Sequence, residues 1–144
     1  MKMDAELSMA GIHCGLHICM KPLEASDVES WAKTRGYEFF HIVGSGVDSE
    51  EGFLRAAAEA LRFPHYYGAN WDAFEECLRD LEWVPAPGYV ILVDNLELLR
   101  FSAPAELEAV LPIFADVAAY WETQGTFFEV ILVWPAGEDH RLQG

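Results

Sequence analysis

The feature that most constrains this fold is a β-α-β segment in the second half of the chain. The run Tyr89–Val93 is continuously apolar, which is typical of an interior parallel strand covered on both faces. A helical pattern follows over residues 104–123, and Phe127–Trp134 has the composition of a further strand. Two strands joined by a long helix pair in parallel, so the segment predicts a parallel sheet covered by helices.

Earlier residues repeat this alternation of strand and helix. Tyr37–Val43 is rich in aromatic and branched residues and predicts a strand. A helix is predicted from Asp48, and Pro64 terminates it. Asn70 is a good N-cap for the next helix, whose apolar stripe consists of Trp71, Phe74, Leu78 and Leu81.

The N-terminal region predicts one further strand and one further helix. Residues 11–20 predict an edge strand, and the capping box from Ser26 to Glu29 predicts a helix over residues 27–35. Near the other end, Pro112 falls inside the long helical pattern and is expected to kink or restart that helix. The predicted fold is therefore α/β, with a small, mainly parallel sheet of three to four strands packed by helices.

Length and charge limit the classes of function. At 144 residues with 52% hydrophobic content, the chain predicts one folded domain. Its net charge of −15 argues against direct binding to nucleic acid or an anionic membrane and favours a basic partner. The apolar runs are too short to span a bilayer, and the acidic N-terminus does not resemble a signal peptide. We therefore expect a cytoplasmic protein that is a monomer when free.

Cysteine and histidine residues near the N-terminus raise the question of a metal site. The three cysteines, without a secretion signal, predict reduced thiols. The cluster of His13, Cys14, His17 and Cys19 matches no standard structural zinc spacing. We predict no metal and no other cofactor.

Residues 63–81 carry the strongest functional signal. Asp72, Glu76 and Asp80 follow one another at intervals of four residues, with Glu75 adjacent, so a helix places them along one side. Like charges at this spacing cost a few tenths of a kcal/mol per pair. This observation alone is consistent with two interpretations. The side of the helix is either simply solvated or a surface that binds a cationic partner. Tyr66 and Tyr67 precede the helix, and rigid aromatics beside charged groups favour an interface.

This stretch resembles the barstar family of intracellular ribonuclease inhibitors. The string Pro64-His-Tyr-Tyr-Gly-Ala-Asn-Trp-Asp-Ala-Phe is similar to the family signature Pro-x-Tyr-Tyr-Gly-x-Asn-x-Asp-Ala-Leu, and the segment Val110–Asp116 is also similar. The resemblance covers residues 37–134, which leaves residues 1–36 as an N-terminal extension and residues 135–144 as a polar tail. We expect the extension to add its strand and helix at one edge of the sheet.

The resemblance implies a mechanism and a set of partner-binding residues. Family members insert an acidic helix and its preceding loop into a ribonuclease active site, where carboxylates replace RNA phosphates. By position, the resemblance implies Tyr66, Asp72, Glu76 and Asp116 as contact residues. From their place in the same loop and helix, we predict that Tyr67, Gly68, Asn70, Glu75 and Asp80 also bind the partner. Glu76 replaces the family's key aspartate.

Other positions depart from the family pattern. Glu75 stands in place of its tryptophan, and both Ala69 and His65 stand in place of glutamates. These departures favour a cognate enzyme other than barnase.

Two other classes of function remain as alternatives. One is an immunity protein against a different nuclease toxin of an interbacterial system, which would use the same acidic face. The other is a small enzyme in which Asp72 and Glu76 share a divalent cation. Against an enzyme, no histidine is positioned with these carboxylates, and no nucleophile has a neighbouring base. Gly44-Ser-Gly46 lacks the third glycine of a nucleotide loop, and acidic residues crowd the helix that follows it.

Overall fold

The computed structural model describes residues 15–64 and 67–135, which form four strands and five helices. The elements in chain order are β1 (Leu16–Cys19), α1 (Ala25–Thr34), β2 (Glu38–Val43), α2 (Glu50–Leu61), α3 (Trp71–Asp80), β3 (Gly88–Asp94), α4 (Glu97–Ser102), α5 (Pro104–Thr123) and β4 (Phe127–Val133).

All described strands belong to one parallel sheet with the order β1-β4-β3-β2. This arrangement confirms the α/β prediction. The two apolar strands, β3 and β4, occupy the centre of the sheet, where both faces are covered. Their lack of alternation follows from that burial, since a central strand has no wet face.

Helices cover the two faces of the sheet unequally. The larger core lies against α2, α3 and α5 and contains the fully buried rings of Phe53, Phe74 and Phe114. A smaller core lies under α1, where Val28, Trp31 and Ala32 pack against Val90, Leu92 and Ile131. Strand β1 takes the predicted edge position, but α1 crosses the central strands instead of lying at that edge. Helix α1 therefore packs on one face of the sheet, over residues of β2, β3 and β4.

Two predicted helix starts are wrong in detail. The capping box at Ser26 does not form, because α1 begins before Ser26 and Glu24 is its N-cap, without a side-chain hydrogen bond. Helix α2 is capped by Ser49 instead of Asp48. The Ser49 hydroxyl accepts a hydrogen bond from the Gly52 N–H at 3.1 Å, which satisfies one of the free donors of the first turn.

Pro112 does not restart the helix, since α5 continues as one helix from Pro104 to Thr123. Proline removes one backbone donor, so the carbonyl four residues earlier, that of Glu108, loses its helical partner. Both Pro112 and Glu108 are exposed, so water can satisfy that carbonyl. Within the described ranges, no helix is both long and apolar enough to cross a membrane.

Candidate functional site

Helix α3 is the centre of the candidate site, and its ends are fixed by local chemistry. Asn70 is its N-cap as predicted, and the Asn70 Oδ1 accepts a hydrogen bond from the Ala73 N–H at 2.8 Å. At the other end Leu81 has a left-handed backbone, with φ of 51°, and its side chain is fully buried. Phe74 and Leu78 are also fully buried, so the helix cannot rotate without exposing its apolar stripe.

The opposite side of α3 carries Asp72, Glu76 and Asp80, here called the acidic stripe, and all three side chains are exposed. A rise of about 1.5 Å per residue separates successive carboxylates by about 6 Å along the helix axis. In the part of the chain that the structure describes, none of the three forms an ion pair with a basic side chain. The stripe therefore presents three uncompensated negative charges in a row.

Glu75 differs from the acidic stripe because it has a local partner. Its Oε2 accepts a hydrogen bond from the Arg79 guanidinium at 2.7 Å. The Arg79 guanidinium carbon also lies 5.3 Å from the ring centroid of Tyr120 on α5. Of the predicted contact residues on α3, Glu75 is thus the one whose charge is compensated within the protein.

Helix α5 lies beside α3, which brings Asp116 near the same surface. The rings of Phe74 and Phe114 are 5.8 Å apart, and the Trp121 indole N–H donates to the Leu78 carbonyl at 2.8 Å. Asp116 is exposed and lies one turn before Tyr120, on the side of α5 that faces Arg79. The Glu75–Arg79 pair therefore lies between the acidic stripe and Asp116.

The loop before α3 places its predicted contact residues in different environments. Tyr66, together with His65, lies outside the described residues. Gly68 is exposed, whereas the Tyr67 ring packs against Phe63 at 4.8 Å between centroids. The Tyr67 hydroxyl is buried, and none of the described residues forms a hydrogen bond with it. Burial is the largest cause, and Cys77 a smaller one, of the rise in the pKa of Tyr67 to about 12.

Of the four N-terminal histidine and cysteine residues, His17 and Cys19 are described, and each contacts a different partner. His17 Nε2 pairs with the Glu129 carboxylate, and the Cys19 thiol donates to the Lys21 carbonyl at 3.2 Å. His13 and Cys14 lie outside the described residues. Among the residues that are described, no group of three potential ligand side chains could hold a metal ion. Cys19 and Cys77 are free thiols, and burial raises the pKa of Cys77, with smaller contributions from Asp80 and Glu76.

Sequence reasoning missed the contact between Arg79 and the Tyr120 ring and the ion pair between Glu75 and Arg79. The spacing of Glu75 and Arg79, with the acid four residues before the base, is a favourable helical ion pair and could have indicated it. The Arg79–Tyr120 contact depends on how α3 and α5 pack, and no pattern within one helix encodes that packing.

Comparison with known proteins identifies one family. The sequence model of Barstar (barnase inhibitor) matches residues 37–133, which is about two thirds of the chain. The match begins just before β2 and ends with β4, so it contains α3 and excludes β1 and α1. A comparison with curated proteins finds no matching sequence.

Proposed function

Because this chain belongs to the barstar family, whose members inhibit ribonucleases, we propose that it blocks the active site of a basic ribonuclease with α3 and the loop before it. In this proposal the carboxylates of the acidic stripe occupy positions that RNA phosphates take in the enzyme. They meet the arginine, lysine and histidine side chains that bind those phosphates.

The single observation that carries this mechanism is the exposed, uncompensated acidic stripe on a rigid helix. Asp72, Glu76 and Asp80 repel one another, and this cost is not offset by bases of the same molecule among the described residues. A row of cations on a partner would turn this repulsion into attraction. The buried stripe of α3 and its Asn70 cap hold the carboxylates in place, which limits the entropy lost on binding.

Charge beyond α3 supports the same kind of partner. The chain carries a net charge of −15, so a basic enzyme would be attracted before contact. Exposed Asp116 would extend the negative surface from α3 onto the neighbouring helix α5. Arg79, which compensates Glu75, is a local positive charge that a cognate enzyme has to accommodate.

The immunity-protein alternative uses the same surface against a different nuclease toxin. The compensated Glu75 is the observation that favours it, because the family's tryptophan at this position would offer an apolar contact instead. Both proposals predict binding through the acidic stripe, and they differ in which nuclease is inhibited.

Titration of the purified chain into a panel of basic microbial ribonucleases tests the proposal, with cleavage of a fluorescent RNA as the readout. We expect loss of activity at a one-to-one ratio with at least one enzyme. An inhibited enzyme should also co-elute with the chain in gel filtration. If no ribonuclease of the panel is inhibited, and only a nuclease toxin encoded beside this gene is, the immunity-protein alternative replaces the proposal.

A further inference from the structure

A cavity lies at the carboxyl end of the sheet, on the face covered by α1. Its volume is about 280 Å³. The loop between β1 and α1, the segment after β3 and the end of β4 line it, through Met20, Pro22, Leu23, Asp94, Asn95, Glu97, Val133 and Trp134. Val90, Leu92 and Asp94 follow one another at every second position of β3, so their side chains lie on the same face of the sheet. Val90 and Leu92 pack under α1, so Asp94 belongs to the face that α1 covers.

The position of the cavity in the topology is one at which parallel sheets bind ligands. The chain leaves β1 toward α1 on one face of the sheet, and it leaves β3 toward α5 on the other face. Strand β4 lies between β1 and β3. In open parallel sheets, ligands bind in crevices outside the carboxyl ends of the strands, and this cavity lies outside the ends of β1, β3 and β4.

The polar side chains lining the cavity are two carboxylates and one amide, and the Asp94 carboxylate is held in place. Asp94 Oδ1 lies 2.9 Å from His41 Nε2 and 3.1 Å from Asn95 Nδ2, and the Asp94 side chain is only 13% exposed. Both contacts use the same oxygen, which orients the carboxylate and leaves Oδ2 for another donor. Glu97 is exposed at the rim and supplies a second carboxylate. Among the described residues, neither lysine nor arginine contributes a side chain to the lining of this cavity.

The remaining wall is apolar, and part of it is fixed. Met20, Leu23 and Val133 contribute aliphatic surface, and Trp134 contributes an aromatic surface. The Arg100 guanidinium carbon lies 5.8 Å from the Trp134 ring centroid, and Arg100 also donates to the Pro135 carbonyl at 3.3 Å. This contact holds the indole in position.

We propose that this cavity binds a small organic cation, an ammonium or guanidinium group on a short aliphatic stem. The carboxylates of Asp94 and Glu97 would accept hydrogen bonds from the cationic group, and the apolar wall would cover the stem. An anion is disfavoured by both carboxylates and by the net charge of −15. A bare metal ion would leave the apolar wall and most of the volume unused.

The site is a property of this chain's N-terminal extension. Met20, Pro22 and Leu23 lie outside the family match, which begins at residue 37. Leu23 and Val133 of its wall pack with the core under α1, on the face opposite α3, whereas Trp134 packs against the larger core. The inference therefore does not rest on the proposed inhibition of a ribonuclease, and its failure would leave that proposal intact.

Titration with agmatine, followed by the backbone amide resonances of the labelled protein, tests the inference. Agmatine carries a guanidinium and an ammonium group on an aliphatic stem. We expect saturable shifts confined to residues 20–23, 94–97 and 133–135, and no such shifts with a neutral diol of the same stem length. The exposed Glu97 allows a variant that preserves the fold, so Glu97→Gln should raise the Kd about tenfold.

Glu108→Gln is the matched control, since Glu108 is an exposed acid on α5 that does not line the cavity. It should bind agmatine with unchanged affinity. Absence of localised shifts would overturn the inference. So would shifts that concentrate on the acidic stripe of α3, or equal affinities of the wild-type protein and Glu97→Gln.

Discussion

The ring of Tyr67 stabilises the fold, whereas its buried hydroxyl group destabilises it. The ring packs on Phe63 and helps to anchor the loop before α3, while the buried hydroxyl has no hydrogen-bond partner within residues 15–64 and 67–135. A buried polar group without a hydrogen bond costs about 1–3 kcal/mol. The sequence prediction assigned Tyr67 to partner binding, and this role stays a prediction, since the structure shows only its anchoring contacts.

Tyr67→Phe should raise the free energy of unfolding by about 1 kcal/mol at neutral pH. The gain should grow above pH 10, because the phenol ionises near 10.0 when unfolded but at about 12 in the fold, so rising pH favours the unfolded wild-type chain. Urea denaturation at several pH values measures both effects.

Tyr89→Phe is the control, since the buried Tyr89 hydroxyl donates to the Val84 carbonyl at 2.8 Å. This variant should lose about 1 kcal/mol instead of gaining it. A loss of stability in Tyr67→Phe would show that its hydroxyl is satisfied in solution.

Asn70→Ala should lower the free energy of unfolding by about 1 kcal/mol, because it removes the acceptor for the Ala73 N–H. Asn70→Asp keeps an acceptor at the same place and should stay close to the wild-type value. Thermal unfolding of both variants measures the difference. Equal losses in both would contradict a capping role for Asn70.

At the scale of single elements, the contribution of α1 to stability is separate from the proposed function of α3. Helix α1 packs on one face and α3 on the other, and the larger core and the sheet lie between them. Trp31 is the largest buried side chain of α1 and also lies 6.2 Å from the Phe127 ring.

Trp31→Ala should therefore cost about 3–5 kcal/mol of stability, the usual range for removing a large buried aromatic side chain. Below its unfolding transition, the variant should inhibit its ribonuclease as the wild-type protein does. Denaturant unfolding and RNA cleavage measure the two properties, and Lys33→Ala, at an exposed position of α1, is the control. Weakened inhibition by the folded Trp31→Ala variant would contradict the separation of the two faces.

How far the sequence predicted these elements depended on the range of the interactions involved. The stripe of α3 and its Asn70 cap were predicted because their signals lie within one helix. The start of α1 was not predicted correctly. Its N-cap, Glu24, makes no side-chain hydrogen bond, and α1 packs on strands that are distant in sequence. The packing of α3 against α5 was not predicted either, because it depends on Tyr120 and Trp121, which are remote in sequence from α3.

At the scale of the whole molecule, the net charge of −15 acts over distances longer than any single contact. Attraction of a basic partner raises the association rate, and salt screens it with a Debye length of about 8 Å at physiological ionic strength. The association rate constant should fall about tenfold or more between low and high salt.

Stopped-flow fluorescence measures this salt dependence, and the dissociation rate constant is the internal control because it should change much less. An association rate constant that does not respond to salt would contradict steering by the acidic surface.

The central claim is that the acidic stripe binds the ribonuclease, and calorimetry with single variants tests it most directly. Asp72→Ala and Glu76→Ala should each weaken binding by about 2–5 kcal/mol, a general range for broken interfacial charge pairs to which barnase–barstar itself contributes. Because both side chains are exposed, the fold should be preserved, and the free energy of unfolding should change by only a few tenths of a kcal/mol. Glu59→Ala, a change at an exposed acid of α2, should bind like the wild-type protein. Unchanged affinity for both stripe variants would contradict the account.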